Sequence, residues 1–465
     1  MALEKIEILG YRGFNVKTEV HFAIPNGQEG SGLSIITGAN NSGKSSIIEC
    51  FKARGGYQPP SFTVGRRNSE TDSVEISFFL NGRVEKIRSV QKGSSETERL
   101  DVERSDAIYV LPSRRAFAPF FGRSDGYTRE TYLQNEELQA QRSSTMNNFQ
   151  YRLFNTLKNQ ANFNEVLHKV LPSKPEWSID QSDEGNYFLK FYNGKHSHSS
   201  DGLGEGIVSI FSIVDSLYDS QPGDTIVIDE PELSLHPTLQ KRVFRLLKEY
   251  SKDRQIIIST HSPYFVDMKS LTNGAALVRV ANVGSGSKVW QLSPVGREIL
   301  SKLSAGNIYN PHTFGLDAKE LFFLEDNVVV VEGQEDVLLL PIVAEQLDME
   351  INASFFGWGA GGASNIEHIC ELLLELGFER VSGILDGDKA ELVPVLKAKF
   401  PNYHFVHIAA DDIRTKKARK ASDAVDGLLD AKRELKEEYK EPTKHLFHEL
   451  NAYMEEERKM GHPPF

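Results

Sequence analysis

Cysteine is scarce: Cys50 and Cys370 are the only two in 465 residues, and they lie far apart. That excludes a disulfide framework and a multi-cysteine zinc cluster. It suits a reducing cytoplasm, the compartment expected here. Long apolar runs are missing as well, none approaching the length of a membrane span, so no membrane association is expected. The opening stretch 1–8 mixes acids and a base with short apolar residues and has no apolar core, so no signal peptide is expected. Positive charge is in deficit, with 53 Lys and Arg against 65 Asp and Glu, a formal net charge of −12. Such a chain does not wrap nucleic acid over its whole surface, although a local basic channel remains compatible with it.

What is present is chemistry at strand ends. Ile226-Val227-Ile228 is a short β-branched run that reads as a buried strand, and Asp229, Glu230 and Pro231 follow it. Carboxyl ends of strands are where open α/β sheets bind ligands. Upstream, the strand-like Ser34–Thr37 runs into Gly38-Ala39-Asn40-Asn41-Ser42-Gly43-Lys44-Ser45, and a helical pattern starts at Ser46. This fits G-x-x-x-x-G-K-S with the required strand before and helix after. The glycines let backbone N–H groups turn toward phosphate oxygens, Lys44 neutralises them and Ser45 can ligate magnesium. Gly38, Asn40, Asn41, Ser42, Gly43, Lys44, Ser45 and Ser46 are therefore assigned to a nucleotide. Asp229 is assigned to its Mg²⁺ and Glu230 to the attacking water. Taken alone, an Asp-Glu pair after a strand is more often a solvated strand end.

Two further features bear on that choice. Leu203-Gly204-Glu205-Gly206 opens a helix over Ile207–Tyr218, and its glycine-rich start suits a γ-phosphate supplied by a second subunit. His261 follows the strand Gln255–Ser259, where it can sense the γ-phosphate. In this order the four elements resemble the ATPase heads of the ATP-binding-cassette type, in the branch of chromosome-maintenance and recombination-repair proteins. The glycine-helix segment departs from the usual LSGGQ-like signature, leaving Ser199 or Ser200 as the signature serine, and a Q-loop glutamine is not evident. The resemblance implies ATP and a dimer in which two heads sandwich two nucleotides, with a higher oligomer as an alternative.

A second constellation follows a poorly patterned stretch. Val328–Val331 leads into Glu332-Gly333, with Asp336 one helical turn on, and Val381–Leu385 leads into Asp386-Gly387-Asp388. Carboxylates on adjacent strand ends form an oxygen-rich pocket suited to Mg²⁺, with Mn²⁺ or Ca²⁺ as alternatives. Metals there can activate water against a phosphodiester. D-G-D alone is more often an acidic turn, and no EF-hand spacing follows it. The order strand-Glu-Gly, then strand-Asp-x-Asp, resembles a TOPRIM domain, and Gly357, Gly359, Gly361 and Gly362 suit the turn after that domain's second strand.

An ABC-type head followed by a TOPRIM domain is similar to the OLD (overcoming lysogenization defect) family of ATP-dependent nucleases. The fold class implied is α/β: an ABC-type P-loop ATPase domain with a β-rich subdomain and a helical lobe near 129–170, then a Rossmann-like TOPRIM domain. Boundaries are expected at 1–300, a linker 301–326, and 327–465 with a charged helical end over Leu428–Met460. By resemblance Glu332 and Asp336 hold one metal, and Asp386 and Asp388 the other. The family's downstream lysine falls at Lys416, with Lys417 or Lys420 as alternatives. Arg114 and Arg115 can contact DNA or nucleotide, with structural ion pairing the favoured reading. DNA is the implied substrate, and a reverse transcriptase (retron) or helicase-like defence partner is the implied company. A non-cleaving ATP-dependent scaffold is the competing class. A topoisomerase lacks its separate tyrosine module here, and two cysteines cannot build a primase zinc domain.

Overall fold

The computed structural model describes residues 2–455 apart from 57, 64, 103–106, 116–120, 125, 136–145, 147–148, 194–195, 200–203, 285, 305–311, 313–314, 324–325 and 419–423. Two compact units meet between Gln291 and Leu292. Helix Pro294–Ser304, which straddles the expected boundary at 300, packs on helix Ala363–Glu375 within the second unit, where Ser293 N–H donates to Glu375.

In the first unit, six strands run in the order Gly286–Gln291, Ala276–Val283, Leu33–Thr37, Gln255–Ser259, Thr225–Asp229, Ile108–Leu111. All neighbours are parallel except the first pair. The central strands are fully buried, which explains their continuous β-branched character. A second, antiparallel sheet is ordered Thr18–His21, Leu3–Leu9, Glu75–Leu80, Arg83–Ser89, Thr97–Leu100. Asn81 and Gly82 turn its central hairpin with φ of 48° and 77°, the left-handed pair a two-residue turn requires. Helix Lys44–Arg54 lies between the sheets, and one apolar core joins all three.

Arg54, on the last turn of that helix, grips Glu85 with Nε at 2.6 Å and Nη2 at 3.0 Å, and the Glu85 side chain has no exposed surface. Glu85→Ala leaves a buried guanidinium with its main counter-charge removed. It is expected to cost about 3–5 kcal/mol, read as a lower urea midpoint for unfolding of the full chain.

Helices Arg129–Asn135, Phe149–Lys158 and Gln160–Val170 occupy the described part of 129–170. The last packs on helices Glu205–Asp219 and Pro237–Tyr250. A three-stranded sheet, His196–Ser199, Tyr187–Asn193, Glu176–Gln181, completes the unit. The expected turn at Asn193-Gly194 falls partly outside the described residues.

The second unit is a small parallel sheet, Ser354–Phe355, Val328–Val331, Val381–Leu385, His404–His407. The expected all-helical end is corrected. Gly427–Leu429 is a strand paired in parallel with Asp412–Arg414, and the helix spans Glu437–Glu455. Leu428 and Leu429 are fully buried, and the turn behind them carries Arg433 at φ 65°, so this stretch serves the core and cannot continue a helix. Helix Gln334–Gln346 starts three residues earlier than its apolar pattern, because Asp336 Oδ2 accepts the Gly333 N–H at 2.8 Å and caps it.

Candidate functional site

The loop after Leu33–Thr37 is shaped by two obligatory glycines. Gly38 has φ 139°, and a Cβ there would lie 2.0 Å from the Val280 carbonyl oxygen; Gly43 has φ 115°, and a Cβ would lie 2.7 Å from the Ser287 hydroxyl. Lys44 is buried and folds back over the loop, donating to Gly38 O at 2.9 Å and Ala39 O at 2.7 Å. Burial pulls its pKa down to about 8, against the fields of Glu230, Asp229 and Glu232. The Ser42 hydroxyl is buried with no hydrogen-bond partner among the described residues. Ser45 Oγ and Asp229 Oδ1 meet at 3.4 Å, and Ser259 donates to the same Asp229 oxygen. Asn40, Asn41, Ser46, Glu230 and His261 share a cleft of about 560 Å³ with this loop. A strained cradle, a desolvated cation and an orphaned donor all want an anion, so these residues fit a nucleotide triphosphate.

Glu230 stands at φ 47°, its N–H donating to Ser259 O at 2.9 Å and its carboxylate 3.8 Å from His261 Nε2. Burial and Lys44 push the His261 pKa down, favouring the neutral imidazole. Glu232, which carried no motif signal, stands half-buried in the wall behind it. It accepts from His261 N at 2.6 Å and Thr260 Oγ1 at 2.8 Å, and so fixes the histidine's backbone. Arg12, Asn282 and Ser287 also line the cleft and carried no motif signal. Gly204 caps helix Glu205–Asp219. Ser199 ends a strand, whereas Ser200 lies outside the described residues. Arg114 is exposed. Arg115 corrects its expected ion pairing, because it is buried and donates to neutral oxygens.

In the second unit, Glu332 and Asp386 leave adjacent parallel strands in register, Val331 opposite Ile384. The Asp386 N–H donates to Glu332 Oε1 at 2.9 Å. Asp388 follows on a single tight turn, with Lys389 Nζ at 2.7 Å. Gly387 is required between them, since a Cβ would lie 2.4 Å from the Ala410 carbonyl oxygen. Carboxylate oxygens of Glu332, Asp386 and Asp388 all lie within 4.8 Å of one another. Asp336 stands beside this group as the helix cap. Burial raises it to about 6, with Glu332 and Asp412 adding to the rise. Asp386 is raised further, to about 8, by burial first and then by Asp336, Glu332, Asp412 and Asp388. Asp412, another residue without a sequence signal, is held by Lys416, which also pairs with Glu335 at 3.5 Å. Lys420 lies outside the described residues. An all-oxygen donor set short of positive charge fits a hard divalent cation.

An acid whose folded pKa is raised binds its proton more tightly in the native state. Its native state therefore loses stability as pH rises from the ordinary carboxylate range to about 8. A cation competes with that proton. Ca²⁺ is expected to raise the Tm more at pH 8.5 than at pH 6, as scanning calorimetry in Ca²⁺ and in EDTA would read; an equal shift at both would contradict it.

Residues 33–267 match the family model described as "AAA domain, putative AbiEii toxin, Type IV TA system", and residues 323–388 match "Overcoming lysogenization defect protein-like, TOPRIM domain". The chain is 33% identical over 181 residues to the OLD nuclease of Thermus scotoductus, a match covering 36% of this chain and 32% of that protein. The chain thus spans about a third of that relative's length. It is 22% identical over 346 residues to the Septu protein PtuA of Bacillus thuringiensis, covering 64% of this chain and 84% of that one. Among solved structures, an Smc head bound to the C-winged helix domain of ScpA is 17% identical, with TM-score 0.43, over 63% of this chain and 99% of that chain. The SMC head domain from Thermotoga maritima is 19% identical, with TM-score 0.38, over 63% of this chain and 100% of that chain. One family model spans half of the chain and the other the acid-bearing strands beyond it, so the chain belongs to the ATPase–TOPRIM proteins of the overcoming-lysogenization-defect family.

Proposed function

We propose that this protein is an ATP-regulated, metal-dependent DNA endonuclease acting in the cytoplasm in anti-phage defence or DNA processing. The observation that carries this is the convergence of Glu332, Asp386 and Asp388 within 4.8 Å at adjacent strand ends, in a chain that also holds a phosphate-binding loop. Glu332, Asp386 and Asp388, with Asp336 beside them, would hold Mg²⁺ or Mn²⁺. A divalent cation bound there supplies Lewis acidity and charge neutralisation at a phosphodiester. The side chains set its place: the Glu332 carboxylate is oriented by the Asp386 N–H, and Asp386 stands among acids whose fields raise its pKa and favour a bound cation. Lys416, held near by Asp412 and Glu335, would neutralise charge developing on the cleaved phosphate.

In the first unit, Lys44 and the loop amides would bind the triphosphate, Ser45 and Asp229 its Mg²⁺, and Glu230 would take a proton from the attacking water beside His261. Gly204, at a helix start outside the cleft's lining, suits the nucleotide of a second copy. A homodimer through the ATPase heads is therefore part of the reading. The Septu relative motivates a defence partner; the competing class is a scaffold that binds but does not cut.

The test is plasmid cleavage by the full chain with Mg²⁺ or Mn²⁺, with and without ATP. Metal-dependent nicking or linearisation supports the nuclease, and the ATP lanes give the sign of coupling. Absence of cleavage under all four conditions favours the scaffold.

A further inference from the structure

Arg115 follows strand Ile108–Leu111 and its side chain is 4% exposed. It spends a buried guanidinium on neutral acceptors. Nη1 donates to Pro112 O at 2.7 Å and to Asp229 O at 2.8 Å, Nη2 to Glu230 O at 2.9 Å, and Nε to Ser209 Oγ at 2.7 Å. An uncompensated buried cation is costly, and the neighbouring acids repay it only in part. A planar fork that reaches two consecutive carbonyls is geometry only arginine supplies.

The carbonyls it holds are those of Asp229 and Glu230. Glu230 sits at φ 47°, a conformation that costs a non-glycine residue about 1–3 kcal/mol and persists only when its surroundings over-determine it. Both polar groups of Glu230's backbone are tied: the N–H to Ser259 O at 2.9 Å, the carbonyl to Arg115. Rotation back to negative φ would swing the carboxylate away from His261. The side-chain attachment, Ser209, lies one turn inside helix Glu205–Asp219. That helix starts against the loop after the acidic strand, where Ser234 Oγ meets Glu205 at 3.1 Å and a Cβ on Gly206 would lie 2.5 Å from Ser234 O. At its other end, Asp215 is gripped by the buried Arg152 of helix Phe149–Lys158 at 2.7 Å.

We infer that Arg115 is a positioning residue for ATP hydrolysis: it locks Glu230 in its strained, cleft-facing conformation and ties that conformation to helix Glu205–Asp219. This rests on the reading of Glu230 as the group that takes the water's proton. Movement of the helix start, which that reading places against a second copy's nucleotide, is thereby transmitted to Glu230.

The test is steady-state ATP hydrolysis by the full chain, with nucleotide affinity and Tm measured alongside. Arg115→Lys keeps the charge and loses the fork. It is expected to lower kcat about 10²-fold while the Kd for ATP changes less than about twofold. Ser209→Ala, a milder variant that severs only the helix link, is expected to lower kcat about tenfold at unchanged Tm. In a Glu230→Gln background, Arg115→Lys is expected to add no further loss, since the group it positions is already gone. Wild-type kcat in Arg115→Lys, or a loss of kcat and affinity in step with Tm, overturns the proposal. Additive losses in the double variant overturn it too. Wild-type kcat in Ser209→Ala overturns the helix link. Wild-type kcat in Glu230→Gln with Arg115 intact is a separate result, and removes the reading of Glu230 itself.

Discussion

Asp386→Ala is expected to abolish metal-dependent cleavage, with a loss of more than about 10²-fold in plasmid nicking, and yet to give a more stable protein in EDTA. Both effects come from one cause. Asp386 is the carboxylate most strongly raised in the acidic group, to about 8, by burial and by four neighbouring acids. Such a group opposes folding when no cation is bound, and its removal relieves the others. The same removal takes away one of the three oxygens that come within 4.8 Å of one another. Three readings on one sample separate this from misfolding: higher Tm in EDTA at pH 8.5, no Ca²⁺-dependent rise in Tm, and unaltered ATP binding. Asp388→Ala should lose less, because Asp388 is exposed and Lys389 already neutralises it at 2.7 Å. Retained cutting in Asp386→Ala would take the TOPRIM site out of the account.

What was legible in the sequence was local. The phosphate loop is contiguous from Gly38 to Ser45, and three strands that end at site residues, Gln255–Ser259 before His261 and Val328–Val331 and Val381–Leu385 before Glu332 and Asp386, stand in the structure as they read in the sequence; the run read as Ile226–Ile228 extends to Thr225–Asp229, with Asp229 inside the strand. What was not legible depends on partners without a side-chain signature. Arg115 answers to main-chain carbonyls, which every residue carries. Asp412 reaches the Asp386 site through the strand pairing of Asp412–Arg414 with Gly427–Leu429, three residues long and hidden inside a charged run. Arg12 enters the nucleotide cleft at φ 49°, on a bend no pattern announces, and Glu49 holds it at 2.6 Å. The expected boundary at 300 falls inside helix Pro294–Ser304, whose packing on Ala363–Glu375, far along the chain, places it in the second unit.

Glu230→Gln separates nucleotide binding from nucleotide use. The substitution keeps the side chain's shape and removes its basicity, so ATP hydrolysis should fall by about 10²–10⁴-fold, the range of a lost general base. Binding should survive, because the groups assigned to the triphosphate are Lys44, Ser45 and the loop amides, and Lys44's pKa near 8 is held down by burial rather than by Glu230. Loss of a negative charge beside that lysine also removes a competitor for the cation, so affinity for ATP should hold or rise. If two heads close over shared nucleotide with Gly204 of one facing the phosphates of the other, the trapped state accumulates as a dimer. Light scattering of Glu230→Gln with ATP and Mg²⁺ should then give the mass of two chains, and Lys44→Ala in the same background should return it to one. A single-chain mass with ATP bound would leave the phosphate loop standing and remove the sandwich. The helix start at Gly204 would then need another explanation, within one copy, for its place beside Ser234.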